Sequence, residues 1–423
     1  MKILLLTPHY PPEIRSVSLL MSQLAEDLAA QGHVVTVITP YPPGNMDAAP
    51  SGVADTGPGR AQEDANGLRV FRVPVLPFVK VAPAIRAVTH FTLAASMTLA
   101  GLRAGRHDVI LAYSPPLTVG LACDALRRAW QAPFVFNVQD LYPQALVDLG
   151  LVRNPIVLGV LRWLERHAYR HARAITVHSA GNRSALVSRG VPAEKITIIP
   201  NWIDTTAVVP GPRDNVYRAE LGLGSRFVVL FAGVMGYAQD MAVIVDAAAA
   251  LRDLGEREIE FVLVGDGVRR VEAEALVRAR GLETVRFLPF QPLDRYPLLV
   301  SAADCCLVTL QGTVATPVVP SKIAGILAGG RPVLGALPPG DARTFIEESG
   351  GGFCVAPGDA AALAAVIRRL AHDPSLRAGV GEAGRRYVEA HLSRVAVTRL
   401  YSRLIDDVTG VGPTNARRIL PVE

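Results

Sequence analysis

Only four cysteines occur in 423 residues, Cys123, Cys305, Cys306 and Cys354, and no two have metal-ligand or C-x-x-C spacing. All four sit in apolar runs, so small core residues of a reducing compartment are expected, not a disulfide frame or a zinc site. Long apolar runs are lacking too. After Met1-Lys2 only Ile3–Leu6 precede Thr7-Pro8, far short of a signal-peptide core. The charge-free stretch Ala87–Leu102 is broken by Thr89, His90, Thr92, Ser96 and Thr98. It falls below the roughly 18–20 apolar residues of a membrane span. These absences lead to the expectation of a cytoplasmic protein. Aromatics make up 6% of the chain, with three Trp. The net charge of +5 is spread as Arg through helical stretches such as Arg162–Arg173 and Arg377–Arg386. A nucleic-acid protein gathers its charge in one stripe with interleaved aromatics, and that pattern is missing.

What is present is a chain 50% hydrophobic and 19% charged. Its length suits two domains of about 200 residues each. Short apolar runs alternate with helical patterns from end to end, which predicts parallel sheets with crossover helices. Strands are expected at Ile3–Leu6, Val34–Ile38, Leu68–Val73, Val109–Leu111, Phe134–Val138 and Ile175–Val177. A helix is expected over Ser18–Gln31, stopped by Gly32. Asn45–Asn66, rich in Gly, Ala, Asp and Pro, has no periodicity and is expected to be a mobile loop. The pattern pauses near Pro200-Asn201-Trp202, and a polar stretch runs to Arg226. A second series follows, with strands at Phe227–Phe231, Phe261–Val264, Val285–Leu288, Cys305–Val308, Pro332–Leu334 and Gly352–Val355, and closing helices Pro374–Glu389 and Leu392–Val408. The expected fold class is α/β: domains 1–202 and 203–390, both doubly wound and Rossmann-like, facing across a cleft, with 391–410 able to pack back on the first. Ligands of such sheets bind at strand carboxyl ends, so the cleft is the default site.

Several polar groups follow predicted strands. Gly233 and Gly236, with Tyr237 and Gln239, lie in a turn expected to open a helix, where backbone N–H groups could approach a diphosphate. A turn that needs glycine for packing fits those residues equally well. Val264-Gly265-Asp266-Gly267 lacks the third glycine and the distant acid of a dinucleotide site, which excludes NAD, though the turn could face a base. Pro320-Ser321 begins a helix with Lys322 in its first turn and a break at Gly329-Gly330. The helix dipole opposes a cation there, so Lys322 makes sense beside an anionic ligand; a solvent-facing Lys is the even alternative. In the first half, Asp140 follows a buried strand where a catalytic carboxylate belongs, although such residues more often serve turns and caps. His9 to Glu13 follow strand one in the same way, and His178-Ser179 follow Val177. Three polar clusters on one sheet edge are less ordinary than one. Across 78–106, Ile85, Val88, Phe91, Ala95, Leu99 and Leu102 recur at steps of three and four. That stripe suits a core-facing helix. Its basic ends, Lys80, Arg86, Arg103 and Arg106, keep an anionic membrane surface open as a partner.

These segments together resemble glycosyltransferase family 4, the retaining enzymes of the GT-B fold, with the likeness running over nearly the whole chain. Within it the chain is similar to the envelope-polysaccharide subgroup that includes N-acetyl-fucosamine transferases. The resemblance rests on Tyr10-Pro11-Pro12-Glu13 with Gly32-His33, on Tyr113-Ser114-Pro115-Pro116, and on Val138-Gln139-Asp140-Leu141-Tyr142-Pro143. It continues through Pro200-Asn201-Trp202-Ile203-Asp204, Gly236-Tyr237-Ala238-Gln239, Val264-Gly265-Asp266-Gly267, Pro320-Ser321-Lys322 and Gly330-Arg331-Pro332-Val333.

The resemblance implies a nucleotide diphosphate sugar as donor, UDP rather than GDP, and a glycan or lipid-linked acceptor, with no cofactor or metal. It implies that Gly236 with its neighbours and Lys322 hold the diphosphate, with Gly233, Tyr237, Gln239, Gly265, Asp266, Pro320, Ser321 and Gly325 around the donor. Asp140 is the expected catalytic carboxylate, and Glu13, Arg15, Ser16, Tyr142 and His178 are expected on the acceptor side. Departures are visible. Val234 and Gln239 stand where many members have Arg and Lys. The Glu-x7-Glu pair is Pro317 and Gly325, and the second Glu usually binds the donor ribose, which Gly325 cannot do. The glycine run after Glu13 is replaced by Arg15-Ser16. Two rivals share the architecture: a nucleotide-sugar 2-epimerase, and a catalytically silent partner subunit.

Overall fold

A computed structural model describes the chain apart from Ile14, 43–60, 64–67, 76–82, Ala315 and 411–423, with backbone alone for 61–63 and 83–87. Most of the Asn45–Asn66 segment and the start of 78–106 lie outside the described residues.

The strands are β1 (Lys2–Leu6), β2 (Val34–Pro40), β3 (Ala61–Glu63), β4 (Leu68–Val73), β5 (Val109–Ser114), β6 (Phe134–Val138), β7 (Ala174–Val177) and β8 (Ile196–Ile198) in the first sheet. The second holds β9 (Phe227–Ala232), β10 (Ile259–Val264), β11 (Val285–Leu288), β12 (Cys305–Thr309), β13 (Val333–Ala336) and β14 (Gly352–Val355). Their orders are β3-β4-β2-β1-β5-β6-β7-β8 and β11-β10-β9-β12-β13-β14. All pairs are parallel except β3 with β4. Both sheets are therefore doubly wound, with order reversing beside β1 and beside β9, where crevices open at the strand ends. The uninterrupted apolar runs follow from burial on both faces.

Two strands were not read from the sequence. β8 is three residues of Ile and Thr at an edge, too short for a pattern to register. β3 lies within the stretch expected to be a loop, where 61–63 pair antiparallel with Arg69–Phe71.

The first sheet packs helices on both faces. One face carries Pro83–Ala104, Val119–Trp130 and Pro155–His171, whose Leu93, Ala122, Leu126 and Tyr169 share a core with Phe134 and Phe136. Gly120 permits the close approach of two of them, since a Cβ there would sit 2.6 Å from that of Ala168. The other face carries Ser16–Ala30 and, from the far end of the chain, Arg394–Thr409.

The chain leaves the first domain through Trp202, whose indole N–H donates to Gln23 at 2.9 Å. It returns through a parallel bridge between Ile203 and Ser393. Arg394 then grips Asp27 at 2.6 Å and Glu26 at 2.8 Å. Val397, Tyr401, Leu404 and Ile405 are buried against the first domain. At about 1.5–3 kcal/mol for each fully buried large apolar side chain, this helix belongs energetically to the domain it returns to.

The stripe Val88, Phe91, Ala95, Leu99 and Leu102 is exposed. It is the opposite side, Leu93, Ala94 and Met97, that enters the core. The core-facing assignment of that stripe is thus reversed.

Candidate active site in the interdomain cleft

Because β5, β6 and β7 run in register, with Ser114 beside Val138 and Val138 beside Val177, the residues after them come to one edge. Tyr113, Gln139, Asp140, Tyr142 and His178 line a cleft of about 2680 Å³ whose other wall is the second domain. From that side come Gly233, Val234, Gln239, Tyr296, Pro320, Ser321, Lys322 and Gly325. Glu13, Arg15 and Ser16, after β1, line it as well. Asp341 crosses the gap: its Oδ1 accepts from the Gly181 N–H at 3.0 Å, at the start of helix Ala180–Ser188. A Cβ at Gly181 would meet that carboxylate at 2.4 Å, so glycine is required for the contact.

Lys322 is the first residue of helix Lys322–Ala328. Its stem is partly exposed, but its ammonium is buried and has no hydrogen-bond partner among the described residues. The Nζ lies 3.9 Å from the centroid of the Phe231 ring and would be 3.1 Å from a Cβ on Gly233. An aromatic face offsets only part of a lost hydration shell. Desolvation accordingly pulls the ammonium down to about 7 from 10.5. A buried ammonium this close to neutrality, on a residue that lines the cleft, suits an anionic ligand.

The first-domain wall is different in kind. Burial pushes the Asp140 carboxyl above its ordinary range, and it makes no side-chain hydrogen bond to the described residues. A raised carboxylate with free lone pairs can orient a hydroxyl and accept its proton. Neighbouring Tyr142 is pushed up to about 12 by burial and by Asp140. His178 is held below its usual value, chiefly by burial. Its Nε2 lies 3.0 Å from the Gln139 carbonyl, while its buried Nδ1 has no hydrogen-bond partner among the described residues. His9 Nδ1 pairs with Glu13 at 2.7 Å, and Arg15, 60% exposed, reaches the same carboxylate only at 4.0 Å.

Several expected donor contacts are not where the motif suggested. The turn at Gly233 does not open a helix, because helix Ala242–Asp253 starts only after nine intervening residues, 233–241. Within that turn the Gly236 N–H donates to the Gln239 side chain at 3.0 Å, so Gln239 fills the position an anion oxygen would take. Tyr237 points to solvent and does not line the cleft, nor does Gly236 itself. Gly265 and Asp266 do not line it either. Gly265 (φ +137°) is buried beneath Gly233, whose carbonyl oxygen lies 1.9 Å from a built Cβ, and Gly267 fits under Met235 in the same way. These glycines are there for backbone packing, and Asp266 turns outward to its own loop, accepting from Gly267 N–H at 2.7 Å.

Gly325 does line the cleft, but its corner is occupied. A Cβ there would sit 2.6 Å from the Tyr296 hydroxyl. Tyr296 starts helix Tyr296–Ala302 and was not found from the sequence, since a lone tyrosine 29 residues before Gly325 carries no motif. Gln139 and Asn201 were also missed as a pair. Their amides bond reciprocally at 2.8 and 3.1 Å, which ties the interdomain linker to the strand that presents Asp140. Among the described residues, one group offers metal-ligand types, Asp124, His167 and His171, outside the cleft. Its carboxylate is already held by Arg127 at 2.7 Å and Arg128 at 2.8 Å.

Two doubly wound, Rossmann-like domains facing across a cleft define a GT-B scaffold. The chain matches the family models for the glycosyl transferase 4-like domain over residues 18–202 and for glycosyl transferases group 1 over residues 214–387. It belongs to the glycosyltransferases that these two models describe. WcaI of Escherichia coli K12, assigned as a glycosyl transferase of colanic acid biosynthesis, is 28% identical over 97% of this chain and 100% of its own. Sucrose-phosphate synthase from Thermosynechococcus elongatus superposes with a TM-score of 0.76 at 20% identity, covering 97% of this chain and 100% of that one. Anabaena HepE, crystallised with UDP-glucose, superposes with a TM-score of 0.72 at 20% identity over 96% of this chain and all of its own.

Proposed function

We propose that this chain is a retaining glycosyltransferase that moves a hexosyl or N-acetylhexosaminyl unit from a nucleotide diphosphate sugar, UDP in preference to GDP, to a lipid-linked glycan acceptor. The step belongs to envelope or exopolysaccharide assembly at the inner face of the cell membrane, with anionic lipid facing the 78–106 region. The observation that carries the reading is the buried, unpartnered Lys322 ammonium in the cleft. WcaI supports the polysaccharide setting and HepE the choice of UDP.

In this reading the bond from the anomeric carbon to the diphosphate oxygen breaks. The acceptor oxygen bonds the same carbon from the same face, and the acceptor proton passes to the departing diphosphate. Charge collects on that diphosphate, and a cation already stripped of water stabilises it without further reorganisation. Asp140 orients the acceptor hydroxyl, and His178 lines the same wall of the cleft. The cleft exceeds the roughly 300–1,000 Å³ of a small-molecule pocket, which leaves room for a glycan beside the donor.

Calorimetry across UDP- and GDP-sugars, UDP-N-acetyl-fucosamine among them, identifies the donor, and transfer of labelled sugar to a lipid extract then tests the reaction. Donor incubated alone should stay unchanged, whereas a 2-epimerase would alter it. Binding of no nucleotide sugar at all would sink the transferase reading and leave a silent partner subunit.

A further inference from the structure

The helix layer formed by Pro83–Ala104, Val119–Trp130 and Pro155–His171 lies on one face of the first sheet, so its far side looks out in one direction. On the first of these helices that side shows Val88, Phe91, Leu99 and Leu102. On the last it shows Ile156, Val157, Val160 and Trp163, with Ile156 77% and Trp163 50% exposed. The first buried residue of Pro155–His171 is Leu164, so its opening two turns overhang the domain. Leu151, just ahead of them, is exposed as well. A helix face turned to water is normally polar, and a contiguous apolar one marks an interaction surface.

The flanking charge has one sign. Arg153, Arg162, Arg166 and Arg170 are exposed. The one carboxylate of Pro155–His171, Glu165, is buried and held by Arg189 at 2.6 Å. An acidic protein would match the arginines and leave the apolar turns unanswered. An anionic bilayer matches both: the apolar turns enter the acyl boundary, Trp163 sits at the interface, and the guanidinium groups reach lipid phosphates. No described helix is long and apolar enough to cross a membrane, so this one would lie on it.

We propose that the chain docks on anionic membranes through the overhanging start of Pro155–His171, with the outward stripe of Pro83–Ala104 as a second, weaker contact. The segment leading into this helix holds Tyr142, which lines the cleft, and Asp148, which accepts from the Thr316 N–H of the second domain at 2.9 Å. Docking therefore holds the cleft mouth close to the lipid surface. The inference stands apart from the donor reading, because vesicle binding needs no donor and can succeed or fail on its own.

Trp130 and Trp202 are buried, so an emission change on adding vesicles reports Trp163. Phosphatidylglycerol–phosphatidylethanolamine vesicles should shift that emission to the blue and float the full chain, less so as salt rises, while phosphatidylcholine vesicles should not. The double variant I156S/W163S should lower the partition coefficient about tenfold or more with unchanged melting. V88S/F91S should lower it less, and R162Q/R166Q should remove the preference for anionic lipid. Equal binding to both vesicle types, an unshifted Trp163, or full binding by I156S/W163S would each overturn the proposal. So would a dimer held through these turns that ignores vesicles.

Discussion

With Lys322 meeting the donor diphosphate as proposed, its depressed ammonium should make donor binding a proton-linked event. In the unliganded cleft burial pulls the group down to about 7, with the Phe231 ring beside it. A bound diphosphate would supply the missing counter-charge and restore it toward its ordinary range. Between those two values the free site is neutral and the occupied site charged, so each donor takes up one proton as it binds. Apparent affinity should then be nearly flat below pH 7 and weaken about tenfold for each unit above it, the equivalent of roughly 1.4 kcal/mol per unit. From pH 6 to pH 8 the expected loss is about tenfold in all, with a further decade by pH 9.

Calorimetry in two buffers of different ionisation enthalpy reads the uptake directly: near zero at pH 6, approaching one proton at pH 8.5. Lys322→Met should bind donor weakly at every pH and take up no proton. The stability sign runs the other way. The folded value lies below the unfolded one, so between 7 and 10.5 the unfolded chain binds the extra proton and the unliganded protein gains stability as pH rises. Below pH 7 both states carry the charge and the burial cost is present in full. Lys322→Met should therefore melt higher than the wild type at pH 6. A donor affinity independent of pH from 6 to 9, with no proton uptake, would refute the reasoning.

Three further outcomes follow from single contacts. Gly325→Glu should weaken donor binding, because its Cβ would meet the Tyr296 hydroxyl at 2.6 Å, and overpacking of this kind costs about 1–3 kcal/mol. A Tyr296→Phe background, lacking that oxygen, should recover part of the loss in a urea melt. Asp140→Asn should leave donor affinity in place, slow transfer, and raise stability at pH 7. Its carboxyl is raised by burial, so ionising it weakens the fold as pH climbs through the carboxylate range. A drop in stability would instead mark Asp140 as a structural carboxylate. Arg394→Ala should release the returning helix and cost on the order of 1–3 kcal/mol in thermal unfolding, since its guanidinium is mostly shielded and bonds Asp27 and Glu26.

The sequence by itself determined the alternation of strands and helices and hence the two doubly wound sheets. A strand buried on both faces is apolar over most of its length, and that is local enough to read at β1 and β9 and, despite Asn137 and Glu260, at β6 and β10. It also determined which residues follow strand ends, which brought Asp140 and His178 forward, and it put Lys322 in the first turn of a helix, which made that residue a candidate. Direction and company were decided only in three dimensions. Helix Pro83–Ala104 is apolar on two sides, so its period could not say whether Val88 and Phe91 or Leu93 and Met97 would enter the core. Gly265 and Gly233 looked alike in sequence, yet one is pressed under the other's carbonyl and only Gly233 reaches the cleft. The vacancy inferred at Gly325 is filled by Tyr296, brought there from a separate helix. The depressed ammonium of Lys322 comes from burial, and the ring that lies against it belongs to Phe231 of β9, 91 positions earlier in the chain. Each of these rests on which distant groups share a few ångströms, and desolvation and steric overlap are properties of that neighbourhood rather than of the residue's place in the chain.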